Sequence, residues 1–400
     1  MPLLGTRLTD KYVANERPEV WRNGIFDQYP DSVPLQLIMD RTKPSVAEDY
    51  KVHWFQRKFA TRELTVNAGD TPGIETAGAN DTMRVGTGEA YNACIGSLIW
   101  NPAAGEVVLV YGVVDGENLQ IVRGIGASGS MAAWTAGDKA QVTTTAYSEI
   151  AGTPEAVMFD PTEYWNYSQV VRTACRLSFR AKAVKLRTGD AMKRHKKDAL
   201  KLHMRELEWM FITGVRAART AGDGSLQTFS GGLLDPNIGF STNVLNVSSL
   251  AGGALSKKAL NQFIGQIAEQ SDTDELMLIC GGGAALNLDE MAEAYSFQFA
   301  EVGKQDSFGM TLTAWKTQDI TVYIHRHRLM TRNSHLKWAG FFIAPEQLSR
   351  FHLAGYDTDY YKIPRTSGAT VEIGEYMTDT GMQIVEEYKG GYLKNFQNWV

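Results

Sequence analysis

The chain has 400 residues, 44% of them hydrophobic, which supplies apolar material for two or three packed domains and excludes a disordered or fibrous protein. Its net charge is −5, yet residues 176–219 hold thirteen Lys or Arg against four Asp or Glu, a local +9 that leaves −14 elsewhere and points to one basic and one acidic side. Cys94, Cys175 and Cys280 are widely spaced with no CxxC pair, which excludes a disulfide or zinc framework and reads as reduced core thiols of an intracellular protein.

The opening residues contain no apolar signal core, and no stretch approaches the roughly eighteen apolar residues of a membrane span, so neither export nor a membrane is expected. The sequons at Asn166 and Asn246 are then coincidental. Residues 1–48 are polar and punctuated by Pro18, Pro30, Pro34 and Pro44, which predicts an arm without regular structure. Its apolar side chains are too many to float in water. Trp21, Ile25, Phe26 and Leu37 are the candidate contacts through which it lies on another subunit or on its own body.

Residues 51–66 alternate apolar and polar, as a strand does, and a Gly- and Thr-rich loop follows from Ala68 to Gly88. Between 91 and 150 come four short strand patterns, 94–100, 106–114, 118–124 and 140–147, separated by turn signals at Asn101-Pro102, Asp115-Gly116 and Gly137-Asp138. They predict a small all-β module, a compact barrel or sandwich, inserted at about 85–155. Residues 163–185 alternate again, and their expected partner is the strand at 51–66, the two forming the stem of a long hairpin that carries the module.

From Asp190 to Ala221 the residues Leu200, Met204, Leu207, Phe211, Val215 and Ala218 recur at three- and four-residue steps, which predicts one long helix. Thr188 or Asp190 caps its start, and Gly222 or Gly224 ends it. About thirty residues at 1.5 Å each make roughly 45 Å, a spine that needs neighbours along most of its length. Its N-terminal half carries Lys193, Arg194, Lys196, Lys197, Lys201 and Arg205, a density of charge that must face water or an anion. Beyond it, Ser256 caps a helix to about Gln270 with Leu260, Phe263, Ile264 and Ile267 on one side. A strand at Leu276–Cys280, the glycines 281–283 and a helix over Leu286–Tyr295 complete an α/β layer. Strands dominate from 309 onward, interrupted by a short helical turn at Pro345–Arg350.

The constellations that carry catalysis elsewhere do not assemble. Gly124, Gly126 and Gly129 spell GxGxxG, but between strands rather than before a crossover helix, so a Gly-rich loop is the better reading than a dinucleotide site. Gly281–Gly283 lie between a strand and a helix without a P-loop Lys, which favours a tight turn over an anion site. His325 and His327 share one face of a strand without the further ligands a metal needs. No nucleophile motif is present, and no enzyme, cofactor or metal is expected.

Several stretches do resemble one family. WNYSQVV at 165–171, RLSFRAKAV after it and KLHMRELEWMFITG in the spine resemble the Asn-Tyr-Thr-Gln-Ile segment and spine helix of one group of tailed-phage major capsid proteins, possessors of the HK97-like fold, with a likeness to the short-tailed phage type. VHWFQ at 52–56, FFIAPEQLSRFHL at 341–353 and the closing EYMTDTGMQIVEEYKGGYLKNF are similar to strands of the same group. The resemblance implies an α+β fold of N-terminal arm (1–48), extended loop (49–185, with the β insertion), peripheral spine (186–229), axial domain (230–320) and returning strands (321–400). It further implies pentamers and hexamers in an icosahedral shell around double-stranded DNA, touched non-specifically, with portal, scaffolding and decoration proteins as partners. Such a protein is located in the virion after assembly in the host cytoplasm. The basic strip would face packaged DNA or an acidic neighbour. No Lys–Asn pair matches the self-crosslinking of some members. An encapsulin-like compartment and a nucleotide-dependent enzyme using the glycine turns are the alternative functions.

Overall fold

In a computed structural model the chain is described at residues 33–42, 44–57, 62–67, 74–75, 82–126, 133–153, 160–184, 190–240, 243–270, 274–294, 313–316, 320–364 and 370–400. It runs through α1 (Pro34–Arg41), β1 (Ser45–Ala47), β2 (Lys51–Gln56), β3 (Glu63–Thr65), β4 (Thr82–Arg84), β5 (Ser97–Asn101), β6 (Glu106–Val113), β7 (Asn118–Val122) and β8 (Lys139–Thr145). Next come β9 (Thr162–Tyr167), β10 (Gln169–Ser178), α2 (Phe179–Ala183), the spine α3 (Ala191–Thr213), β11 (Ala217–Thr220), β12 (Leu226–Phe229) and β13 (Val244–Asn246). The rest is α4 (Lys257–Glu269), β14 (Glu275–Cys280), α5 (Gly282–Ala294), β15 (Thr313–Lys316), β16 (Thr321–Arg326), α6 (Arg328–Arg332), β17 (Gly340–Ile343), β18 (Leu348–Leu353), β19 (Asp359–Ile363), β20 (Val371–Ile384) and β21 (Gly391–Lys394). Two compact units divide these elements, one of the described residues up to Trp54 and from Tyr164 onward, the other Phe55–Glu163.

The first unit is built on two sheets. One has the order β1-β18-β20-β10, with β19 on β20, and the other the order β13-β21-β17-β14-β16-β15. Leu276–Cys280 of β14 is an unbroken apolar run, the pattern of a strand covered on both faces. Met277 and Ile279 join Phe341, Ile343, Leu207, Phe211 and the α1 residues Leu35 and Ile38 in one core. Leu278 and Cys280 join Phe342, Leu260, Ile264, Leu288 and Met291 in a second core under α4 and α5. Burial pushes the Cys280 thiol up to about 12, so it stays protonated. Ser256 caps α4 as expected, its side chain accepting from the Ala259 amide, and all four predicted face residues of that helix are buried.

The spine begins where expected, with Asp190 Oδ1 accepting the Met192 and Lys193 amides, but it ends at Thr213 after 23 residues, well short of Gly222. Its last carbonyls find other donors. Gly232 N–H bonds Gly214 O, Leu233 N–H bonds Phe211 O and Leu234 N–H bonds Ile212 O, so the returning chain satisfies what another helical turn would have. A Cβ at Gly214 would run into the Met210 and Ser230 carbonyls. Residues 217–220 then pair with 226–229, which leaves Val215 and Ala218 exposed instead of on the buried stripe. Gly222 and Gly224 serve that hairpin turn, Gly224 at φ +84°.

Two further expectations change. Pro34 starts a helix instead of interrupting one, because at the first helical position its missing N–H is an orphan anyway. The strand expected over 51–66 is two strands: β2 forms a ladder with β9, while β3 pairs with β8. The expected pairing of 51–66 with 163–185 is thus realised by β2 and β9, and β10 pairs with β20 along 169–178 instead.

Residues 55–163 hold the inserted all-β module. Its six strands run β3-β8-β5-β6-β7-β4, and an antiparallel bridge between Val66 and Val85 joins the two ends into a closed barrel. Leu64, Ile99, Val108, Val110, Leu119, Ile121 and Val142 fill it. Arg123 grips Glu106 with two bonds, of 3.0 and 2.5 Å, while Trp134 Nε1–H donates to the same carboxylate at 2.9 Å. Burial opposes ionisation there, and these bonds outweigh it, holding Glu106 below the usual carboxylate value.

The glycines at 281–283 are a packing requirement. A Cβ on Gly281 would meet the Leu336 and Lys337 carbonyls, and one on Gly283 would lie 2.6 Å from the Trp338 ring. Gly281→Ala is expected to destabilise the folded chain by about 1–3 kcal/mol, as overpacking against backbone does. A urea unfolding midpoint unchanged from wild type would contradict the close packing.

Candidate functional site and assembly surfaces

Helix α1 starts without a cap of its own, since Val33 offers no side-chain acceptor. Its first amides are satisfied from the spine. Glu208, wholly buried, accepts the Leu35 N–H at 3.0 Å and the Gln36 N–H at 3.3 Å. Gln36 Nε2 returns a bond of 2.6 Å to Met204 O. The third donor to Glu208 is His327 Nε2, at 2.9 Å. His327 Nδ1 accepts the Met330 amide, which caps α6 and leaves Nε2 to donate. His327 therefore follows its strand as a helix cap with its ring on Glu208, whereas His325 remains on β16.

A second anchor is the segment that carried the family resemblance. The Trp165 ring meets two cations, Lys51 Nζ at 4.2 Å from the ring centre and the Arg216 guanidinium at 3.8 Å. Arg216 also donates to Trp165 O, and its amide bonds Asp235. Asn166 is fully buried: Nδ2 donates to Met382 O, Gly231 O and Ser230 Oγ, and Oδ1 accepts from Gly231 and Tyr167 amides. Gln169 Oε1 takes the Ser230 amide. The residues Asn166 and Gln169 thus hold the stretch 230–231 that closes the end of the spine. Tyr167 stacks on Tyr50. Tyr164 donates to Glu387 at 2.8 Å, and burial together with that carboxylate pushes its pKa up to about 12.

The spine lies on β10 and β20 through His203, whose ring sits 3.0 Å from Thr173 Oγ1 and 2.7 Å from Thr378 Oγ1. Burial holds this imidazole below its usual value. On the far side of the helix the predicted cations divide. Lys193, Lys197, Lys201 and Arg205 follow the four-residue step along one face, with Lys193 and Lys197 exposed and the other two half-buried. Arg194 is half-buried beside them. Lys196 turns to the sheet, its Nζ 3.9 Å above the Tyr360 ring.

Of the predicted arm contacts, Leu37 is exposed on the outer face of α1, while Trp21, Ile25 and Phe26 lie outside the described residues. In the glycine turn at 281–283 two amides are engaged, Gly281 N–H with Ala339 O and Gly282 N–H with Thr331 Oγ1. Gly124 and Gly126 follow β7 with positive φ, and Gly129 lies outside the described residues. Glu208, His203 and Asn166 were missed as structural centres. For the first two a signal exists: both are polar residues among the spine's apolar positions, His203 four residues before Leu207 and Glu208 four residues from Met204 and Ile212.

Among the solved structures to which this chain is similar are several capsids and an encapsulin complex from Synechococcus elongatus PCC 7942, the latter 9% identical and aligned over 61% of this chain and 80% of that chain with a TM-score of 0.41. The capsid asymmetric unit of cyanophage A-1(L) is 8% identical and aligns over 98% of this chain and 100% of that chain with a TM-score of 0.50, which gives the fold. The capsid of a native GTA particle aligns over 98% and 99% with 9% identity and a TM-score of 0.48, and a structure from Mycobacterium phage Ogopogo over 98% and 99% with 11% identity and a TM-score of 0.45. No curated protein matches the chain. The α+β architecture is therefore that of an HK97-like capsid subunit. The chain belongs to the SU10 major capsid protein family, which it matches over residues 6–396, and copies of it form the shell of a phage virion.

Glu208→Ala leaves two amides and an imidazole buried without their acceptor, and is expected to cost about 3–5 kcal/mol in denaturant unfolding. A loss below about 1 kcal/mol would show that α1 does not depend on it. His203 gives a pH dependence of known sign. Its folded pKa lies below its unfolded 6.5, so the unfolded state takes up the proton first and stability falls as pH drops below about 6.5. Between pH 7.5 and 5 His203→Gln should lose less stability than wild type, and an equal loss would assign the pH dependence to other groups.

Proposed function

We propose that copies of this chain close into pentamers and hexamers that tile an icosahedral head around the double-stranded DNA of a tailed phage. The observation that carries the reading is the match to a major capsid protein family over nearly the whole chain. In this reading the arm, 1–48, reaches neighbouring subunits through the residues ahead of α1, since α1 and β1 are seated on this chain's own core, and the extended loop, 49–185, reaches an adjacent copy with the barrel upon it. The spine, 186–229, and the returning strands, 321–400, form the peripheral side, and 230–320 the axial region where rings close. Portal, scaffolding and decoration proteins complete a head assembled in the host cytoplasm, and the chain acts as a structural protein without catalysis.

The cationic face of the spine, with Lys193 and Lys197 exposed, Lys201 and Arg205 half-buried and Arg194 at its margin, is suited to phosphates. Its charges repeat at one helical turn without a base-reading motif, so the contact is non-specific. Lys196, turned to Tyr360, supports the strip from the side of the sheet.

Negative-stain electron microscopy of the purified chain should reveal closed shells or rings of five and six, whereas only monomers or dimers across salt and concentration would defeat the reading. For the strip, Lys193→Gln, Lys197→Gln and Lys201→Gln combined should reduce the slope of log affinity for duplex DNA against log salt by about 2–3. An unchanged slope would assign the strip to an acidic neighbour.

A further inference from the structure

The outer surface of the barrel has two unlike halves. Over β3, β4 and β8 the outward positions are polar, among them Glu63, Thr82, Arg84 and Gln141. Over β5 and β6 they are Leu98, Trp100, Val107, Leu109 and Tyr111. Leu98 stands opposite Leu109 and Trp100 opposite Val107, so these side chains form one continuous apolar face. Trp100 is 44% exposed and Tyr111 47%. The inward residues of the same strands, Ile99, Val108 and Val110, are fully buried in the barrel. Val107–Tyr111 is therefore apolar on both faces, the pattern of a strand covered on both; among the described residues the inner face is buried, while on the outer face Trp100 and Tyr111 stand exposed.

Charge narrows what covers the outer face. Residues 55–163 hold six Lys or Arg against thirteen Asp or Glu, a local −7, while 176–219 carry +9. A surface of that sign repels nucleic-acid phosphates, acidic lipid headgroups and a second barrel, and it is drawn to the basic segment of another copy. A shell made of copies supplies that neighbour. We propose that the apolar outer face of β5 and β6 is an inter-subunit interface, buried in the shell against a second copy of this chain. The inference rests on the shell-forming function and adds the surface and its occupant.

The test places a photo-crosslinker on the face. Full-length chain with Tyr111→p-benzoylphenylalanine is co-assembled with ¹⁵N-labelled unsubstituted chain, and shells verified by electron microscopy are irradiated. Adducts joining position 111 to ¹⁵N-labelled peptides are expected. Adducts only to the substituted chain's own peptides, adducts to a different protein, or no adduct in intact shells would each overturn the proposal. Failure of the mixture to form any shell would instead remove the assembly reading beneath it. Independently, Trp100→Ser with Tyr111→Ser, which spares the barrel interior, should raise the concentration needed for assembly at least tenfold. The subunit's circular dichroism melt should remain unchanged. Assembly at the wild-type concentration would also overturn the interface.

Discussion

A carboxylate with no exposure on the central helix is the constraint around which the first unit is arranged. Glu208 alone in that position would carry a desolvation penalty of several kcal/mol. Three donors offset it: two amides at the start of α1, 173 and 172 residues away in sequence, and His327, 119 residues away. The need is mutual. Helix α1 has no cap of its own and presents the positive end of its dipole, so the carboxylate satisfies both the helix and itself. Once α1 is seated, Leu35, Ile38 and Met39 can enter the core that Leu207 and Phe211 line. Helix α1, within the arm, and the junction of β16 with α6 are thereby fixed to one point of the spine.

Rigidity of this kind has a use in a shell. Heterologous contacts close into rings only if each subunit presents the same angle between its two contacting faces. A subunit whose parts slid on one another would not repeat that angle. Helix α3 is held at its C-terminal end by amides of 232–234, and Asn166 and Gln169 hold the preceding residues 230–231 in turn. The sheet containing β14 has a core on each face, which resists bending in either direction. Hydrogen bonds with buried partners and two-sided packing permit few alternative geometries.

What the amino-acid pattern revealed, and what it hid, follows from the range of the forces. Helix α4 and the barrel strands at 97–101, 106–113, 118–122 and 139–145 lie within two or three residues of their predicted positions, because period and turn residues are local signals. The end of the spine was misplaced because Val215 and Ala218 continue the helical period, whereas the amides that terminate the helix come from 232–234. Pro34 reads as a breaker in the sequence because the helix it opens has its first amides satisfied by a carboxylate far along the chain, with no local cap to announce it. The NYSQ stretch was legible as a resemblance. Its physical content, an amide side chain that bonds both 230–231 and Met382, required the fold. Among the cations, position along the helix was legible and orientation was not: Lys196 belongs by sequence to the strip and by contact to Tyr360.

The barrel presents a different problem, that of adding a β module to a protein packed among many copies of itself. A strand with free amides and carbonyls invites pairing with the same strand of a neighbour, and a shell brings such edges together at high local concentration. The Val66–Val85 bridge closes the sheet on itself, with Asn67 N–H on Arg84 O and Gly86 N–H on Thr65 O completing the seam. Closure removes the edges. Contacts made by the module must then pass through side chains, whose identity sets both strength and register, instead of through backbone that any strand could match. That restriction suits a shell, because a side-chain face specifies a partner while an open edge accepts any strand, including those of misassembled chains.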